Sequence, residues 1–369
     1  MTDKANNDNP LLREWKTAYN IAPFSLIKPG HYRPAIEKAI EAALGEIDFI
    51  VKQEALPDFK NTIVALEEAG ELLNRITPVL FNLNSADTSP ELQAVTQEVS
   101  PLLTSFANDV TLNPGLFKRV KHVFDHKDEF NLSDEQRILL DRKYKSFVRG
   151  GAALNDGEKE RFREITIEMS TLSLTFEENL LAETNDFTLH LTDRKDLSGL
   201  SEGICEAAAA TAAQKGYEGW LFTLHAPSYI PFMQYSDRRD LREKMNMAYA
   251  TRSFRNNSHD NRQIVTRLAD LRLQLARLLG YNDFASYALE ERMATTPEKV
   301  TNFLRDLLTA SGKAGGRDLA EIKRFAAGAG HSGPIERWDW AYYSEKLKMQ
   351  KFSIDDEALR PYMPLDKVR

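Results

Sequence analysis

The sequence is predicted to fold as a mainly α, multi-helix protein with a small inserted β-sheet. Three observations carry this prediction. Apolar residues recur at steps of three and four along most of the chain, which places them on one face of a helix. Residues that cap helices precede several of these runs, and a glycine follows one of them. Only two short segments alternate with period two, the strand signature, and both lie mid-chain.

Taken in order, residues 1–9 are polar and Asn-rich and are expected to be a disordered tail. A helical region follows over 10–130. Within it Asn61 or Thr62 is expected to cap a helix carrying Ile63, Leu66, Leu73 and Ile76. The next region, 131–245, opens with Ser133 and Gln136 at capping-box spacing, and Asn155 with Glu158 repeats that spacing. The second pair precedes Phe162, Ile165, Met169, Leu172, Phe176 and Leu180, one long apolar stripe. Phe187, Leu189 and Leu191 then alternate within 186–192, and Trp220, Phe222 and Leu224 within 219–225, with an alanine-rich helical stretch between them. In 246–369, Asp260 or Asn261 opens a helix with Ile264, Leu268, Leu271, Leu275 and Leu278 on one face. Gly280 stands where a left-handed cap is needed. Thr296-Pro297-Glu298 starts another helix ahead of Val300, Phe303, Leu304 and Leu307. The stretch 326–334 is Gly-rich and reads as a flexible loop, and the doublets Gly150-Gly151 and Gly315-Gly316 are of the kind common in loops.

The chain has 369 residues, enough for two or three packed units, and its 42% hydrophobic and 28% charged residues mark it as globular. A net charge of −7 gives no electrostatic reason to expect nucleic acid or an anionic membrane as partner. No apolar run is long enough to span a bilayer. The start of the chain lacks the apolar core of a secretory signal, so the expected location is the cytoplasm, or the periplasm if a signal peptide has been removed. Cys205 is the sole cysteine, so no disulfide forms within the chain, and its neighbours suit an inert residue on a helix.

Chemistry is sparse. His122 and His126 are four apart, a spacing that puts two imidazoles on one helical face. Val123, Phe124 and Asp125 between them supply no Glu after the first His, and no third ligand is near. His190 and His225 lie on or beside the two strands and suit structural roles. Phosphate-binding and dinucleotide-binding glycine loops and the serine nucleophile elbow are all lacking. From the residues alone no catalytic group and no metal site is assigned.

Several segments nevertheless form an ordered series. Pro57-Asp58-Phe59-Lys60-Asn61-Thr62-Ile63 with Ala65-Leu66-Glu67 resembles the P-x-F-x-N-T-I-x-A-L-E segment of the M3-family zinc oligopeptidases. Asn9 to Leu12, Ile27 to Tyr32, Phe147 to Ala152, Ala269 to Arg272, Leu278 to Tyr281 and Arg292 to Ala294 are similar to further family segments. Trp338-Asp339-Trp340-Ala341-Tyr342-Tyr343 and Arg360-Pro361-Tyr362 complete the order. The resemblance runs from about residue 9 to the last residue. Its details are similar to the bacterial peptidyl-dipeptidase (dipeptidyl carboxypeptidase) branch, with oligopeptidase A a near relative.

That resemblance implies the N-terminal part of a neurolysin-like helical body. The family's zinc, held by H-E-x-x-H and a distal Glu, would come from sequence beyond Arg369. The chain alone is therefore expected to bind no zinc and to be inactive, forming a channel wall that admits short peptides to a catalytic C-terminal half. The implied activity is hydrolysis of short peptides with release of C-terminal dipeptides; the alternative is a non-catalytic helical scaffold or peptide-binding module. Tyr342, Tyr343 and Arg360 are the substrate-channel candidates. Region 131–245 would pack on the catalytic half, which leads to the expectation that Trp220, Phe222 and Leu224 form an exposed apolar patch in this chain.

Overall fold

The computed structural model describes residues 9–353, 359 and 362–368. It is mostly helical, and its two strands pair as one small antiparallel sheet. Contacts divide the chain into two compact units, Met1–Thr175 with Ile264–Ala288, and Phe176–Gln263 with Leu289–Arg369. Each unit gathers segments distant along the chain. No helix among the described residues is long and apolar enough to cross a membrane.

The first unit begins earlier than the expected tail allows. Asn9 is buried: its Oδ1 accepts from the Leu11 amide at 3.0 Å and its Nδ2 donates to the His31 carbonyl at 2.7 Å. Helices α1 (Tyr32–Lys52), α2 (Glu71–Ala86) and α3 (Pro90–Thr111) pack around Tyr32, Ile36, Ile76, Leu80 and Val99. The expected single helix through Ile63 and Ile76 is interrupted. Asp58, not Asn61 or Thr62, caps a π-helical turn at Phe59–Val64, and Gly70 at φ 78° separates Leu66 from Leu73. A left-handed residue cannot continue a right-handed helix, so the two apolar pairs sit on separate elements.

Helices α4 (Pro114–Asp125) and α5 (Asp134–Arg149) extend this unit over a second core containing Ile63, Leu116, Val120 and Leu140. The Ser133–Gln136 capping box forms in both directions, as does the Asn155–Glu158 pair. The latter opens helix α6 (Asp156–Asp186), whose first part belongs to this unit. There Phe162 and Ile165 meet Leu271 and Leu275 of a later helix, Arg262–Leu278. That helix ends as the sequence predicts. Gly280 is at φ 84°, and the Tyr281 amide reaches back to the Ala276 carbonyl at 2.9 Å.

In the second unit, strand β1 (Thr188–Leu191) pairs with β2 (Trp220–Thr223), setting Leu189 opposite Phe222 and Leu191 opposite Trp220. Helix α7 (Glu202–Gln214) connects the strands, and α8 (Ala226–Tyr235) follows, with Phe232 edge-on to Phe222 at 4.7 Å. The expected exposed patch is therefore absent here. Phe222 and Leu224 are each 1% exposed, in a core shared with Leu189, Phe232 and Met245, and Trp220 is half-buried. The alternation correctly marks a strand, but the face it marks is covered by helices from the same unit. Helix α9 (Arg239–Ala250) adds Met245 to that core.

After helix α10 (Arg262–Leu278) and α11 (Phe284–Leu289), the chain returns to the second unit with α12 (Pro297–Gly328) and α13 (Arg337–Phe352). Thr296 caps α12 through the Lys299 amide. Two expectations fail in α12. Gly315-Gly316 lies inside the helix, and residues 326–328 of the expected loop are its last turn, with Ala326 fully buried. The helix carries through because residues on either side are good helix formers and Ile322 and Ala326 bury against Tyr343.

Candidate functional site

The Trp338-to-Tyr343 segment forms the first turns of α13, so residues three and four apart share a face. Tyr342 directs its hydroxyl to Asp237, donating to Oδ1 at 2.8 Å. Ser198 donates to the other carboxylate oxygen at 2.8 Å, and Lys346 Nζ lies 3.2 Å from Oδ1. Burial alone would raise the Asp237 carboxyl. The Tyr342 and Ser198 hydroxyls and the Lys346 ammonium outweigh it and hold the group below the ordinary aspartate value. Burial and the neighbouring carboxylate push the Tyr342 phenol well up. Tyr342 is thus a neutral hydrogen-bond donor, unsuited to act as a base near neutral pH.

One turn back, Asp339 is completely buried. Arg239 grips it with two nitrogens, Nε at 3.0 Å from Oδ1 and Nη2 at 2.9 Å from Oδ2. Arg242, 1% exposed, adds Nη2 at 3.1 Å and spends its other donors on the Trp338 and Ser236 carbonyls. Its guanidinium also lies 4.0 Å from the Tyr342 ring centre. Burial lowers the Arg242 pKa and the Asp339 hydrogen bond opposes that shift. The Asp339 carboxyl is raised by burial and lowered by Arg239, with the net result below its ordinary value.

Of the channel candidates, Tyr342 belongs to this network. Tyr343 is buried between Phe325 and His331, with ring centres 6.4 and 5.3 Å away. Arg360 lies outside the described residues. Sequence reasoning missed Asp237, Arg239, Arg242 and Asp339 as a group. A partial signal was available, since Arg239 and Arg242 are three apart and so share a helical face. Their partner stands about a hundred residues later, and no local pattern announces it.

The remaining candidates are structural. His122 and His126 stack at 4.2 Å, and His126 Nδ1 lies 2.8 Å from the His122 carbonyl. His190 Nε2 contacts the Glu218 carbonyl at 2.6 Å, and His225 precedes α8 as its N-cap residue. Burial pushes the Cys205 thiol up, which suits an unreactive residue. A cavity of about 280 Å³ in the second unit is lined by Ile204, Ala207, Thr211, Phe222, Pro227 and Pro231. It offers shape for a small apolar group and no charged side chain. Among the described residues no group of three or more His, Cys, Asp or Glu is placed to hold a metal ion.

Residues 232–369, which contain Asp237, Arg239, Arg242, Asp339 and Tyr342, match the model of Peptidase family M3. Over 361 residues, 98% of this chain, the sequence is 35% identical to the dipeptidyl carboxypeptidase of Escherichia coli (strain K12), of which it covers 53%. Over nearly its whole length the chain is similar to peptidases of the M3 family. It is also 35% identical over 363 residues to oligopeptidase A of Salmonella typhimurium, covering 53% of that protein. With the organellar oligopeptidase A of Arabidopsis thaliana the identity is 32% over 377 residues, covering 47% of that protein. The chain spans about half the length of the curated relatives it matches.

Several of the segments similar to M3 peptidases are structural joints. Asn61 accepts from Arg119 Nη2 at 3.0 Å, while Arg119 Nη1 reaches the Gln53 carbonyl at 3.2 Å. Arg149 donates to the Tyr281 hydroxyl at 3.1 Å and to the Tyr287 carbonyl at 2.7 Å, tying two of the M3-like segments together. Gly150 is held so closely that a Cβ would meet the Thr111 methyl at 2.3 Å. These contacts explain why such residues are needed without giving any of them a part in bond breaking.

Proposed function

We propose that this chain is the peptide-selecting, channel-wall part of an M3 peptidase that hydrolyses short peptides. The observation that carries the reading is alignment of 98% of the chain with a dipeptidyl carboxypeptidase of which it spans 53%. Hydrolysis then requires the rest of the M3 sequence, and this chain alone is inactive. Release of C-terminal dipeptides is the specificity we assign, with internal cleavage of oligopeptides as the competing outcome, since identity to oligopeptidase A is equal.

Zinc is the metal that similarity to the M3 family suggests, and the described residues do not fit it, because they bring no three ligands together. No step is derived through zinc on this chain. Its own residues act by shape: the buried Asp339–Arg242 pair, joined by the half-exposed Arg239, fixes α13 against α9, so any wall these helices form is rigid.

The test uses quenched fluorescent peptides with free or amidated C-termini. The chain is assayed alone and fused in frame to the part of the E. coli dipeptidyl carboxypeptidase outside the match. Cleavage only by the fusion, with dipeptides as product and preference for the free C-terminus, is expected. Internal fragments would reassign the specificity to oligopeptide cleavage. Hydrolysis by the chain alone, with one equivalent of zinc by elemental analysis, would overturn the reading. Peptide binding without hydrolysis by the fusion would make it a non-catalytic module.

A further inference from the structure

We propose that the exposed apolar face of α12 is the seat of the part of an M3 peptidase that lies outside this chain's match, an inference that rests on the proposed function. All of residues 301–313 are exposed although they form the first half of a regular helix. Phe303, Leu304, Leu307 and Leu308 are 62, 56, 48 and 70% exposed. With Val300 they follow the steps of three and four that build one apolar stripe, and Lys299, Arg305, Asp306 and Lys313 take the other side. Single exposed leucines need no explanation, but four large apolar side chains on one uncovered stripe mark a surface built for a partner.

A glycine of the same helix points the same way. Gly315 stands seven residues after Leu308, on the same stripe, and a Cβ there would meet nothing within 4 Å. It costs the helix about 1 kcal/mol relative to alanine. Nothing in the described structure requires its small size, whereas a backbone or bulky side chain packed closely on that face would.

The occupant is argued from the extent of the match. The helix lies within residues 232–369, the segment that matches the M3 family model, and just under half of each bacterial relative remains outside the alignment. A body of that size needs a large apolar seat. The sheet region expected to provide one is closed, with Phe222 and Leu224 in the core, and α12 supplies an open one instead.

Amide hydrogen exchange over residues 300–313 tests this, comparing the full chain with the in-frame fusion described above. Exchange slower by about tenfold or more in the fusion is expected, and Leu304→Asp with Leu308→Asp should abolish the protection without lowering the helicity of the chain alone. Unchanged exchange in a folded fusion would overturn the proposal. So would a dimer of the chain by sedimentation that the same double variant dissociates, which would assign the face to a second copy. If the fusion does not fold, aspartates at the two aligned positions of the intact E. coli dipeptidyl carboxypeptidase decide. A lowered melting temperature with lost activity supports the seat, and unaltered values overturn it. Hydrolysis by a fusion with unprotected residues 300–313 would leave the proposed function standing and the seat refuted; protection without hydrolysis would do the reverse.

Discussion

Arg242 and Asp339, ninety-seven residues apart in sequence, meet at 3.1 Å with side chains 1% and 0% exposed. A buried charge of this kind is tolerated only while its partner is present. Asp339→Ala leaves Arg242 enclosed without its carboxylate and is expected to cost about 3–5 kcal/mol. Arg239→Ala, at the half-exposed end of the same cluster, should cost clearly less. Urea midpoints followed by tryptophan fluorescence check both, since Trp338 sits beside the cluster.

Acid should weaken the same region. Asp237 and Asp339 have folded pKa values below their ordinary ones, so their contribution is present above the unfolded value and lost as pH falls through the folded one. The stability difference between wild type and Asp237→Asn is expected to hold constant above about pH 5 and to close below about pH 4. A difference that persists unchanged into strong acid would contradict the assignment.

Alkali acts on the first unit through Tyr32. This side chain is 1% exposed, its hydroxyl has no hydrogen-bond partner among the described residues, and burial raises its pKa to about 12. A raised folded value means stability present below the unfolded pKa near 10 and lost as pH rises toward 12. Tyr32→Phe should be neutral or slightly stabilising at pH 7, because it removes an unsatisfied polar group, and should lose less stability than wild type above about pH 10.

Phe222→Ala tests whether the strand face is core or interface. With the ring fully buried against Phe232, the substitution is expected to cost about 3–5 kcal/mol in the chain alone. A residue reserved for an absent partner would cost little, and thermal melts of the isolated chain separate the two.

Two glycines should respond in opposite directions to alanine. At Gly219, φ is 86° and a Cβ would lie 2.4 Å from the Leu191 carbonyl oxygen, so Gly219→Ala should destabilise by about 1–3 kcal/mol. Gly315→Ala adds a methyl in open space within a helix and should stabilise the isolated chain by about 1 kcal/mol. Chemical denaturation of both variants is the check.

What the sequence determined by itself was everything governed by neighbours a few residues apart. The Ser133 and Thr296 caps, the Gly280 terminus and the paired strands around Leu189 and Phe222 all form, because caps, turns and alternation are local contacts between backbone and adjacent side chains. The order of the M3-like segments was legible in the same way, as spelling along the chain. Tertiary structure alone decided which apolar faces are covered. The alternating face at Phe222 and the helical stripe at Leu304 each read in sequence as a face to be covered, yet one is closed by Phe232 and Met245 and the other meets no cover among the described residues. It also decided that Asp339 answers Arg239 and Arg242. Burial and charge pairing depend on what a distant part of the chain brings to a surface, and a periodic pattern records only that a surface exists.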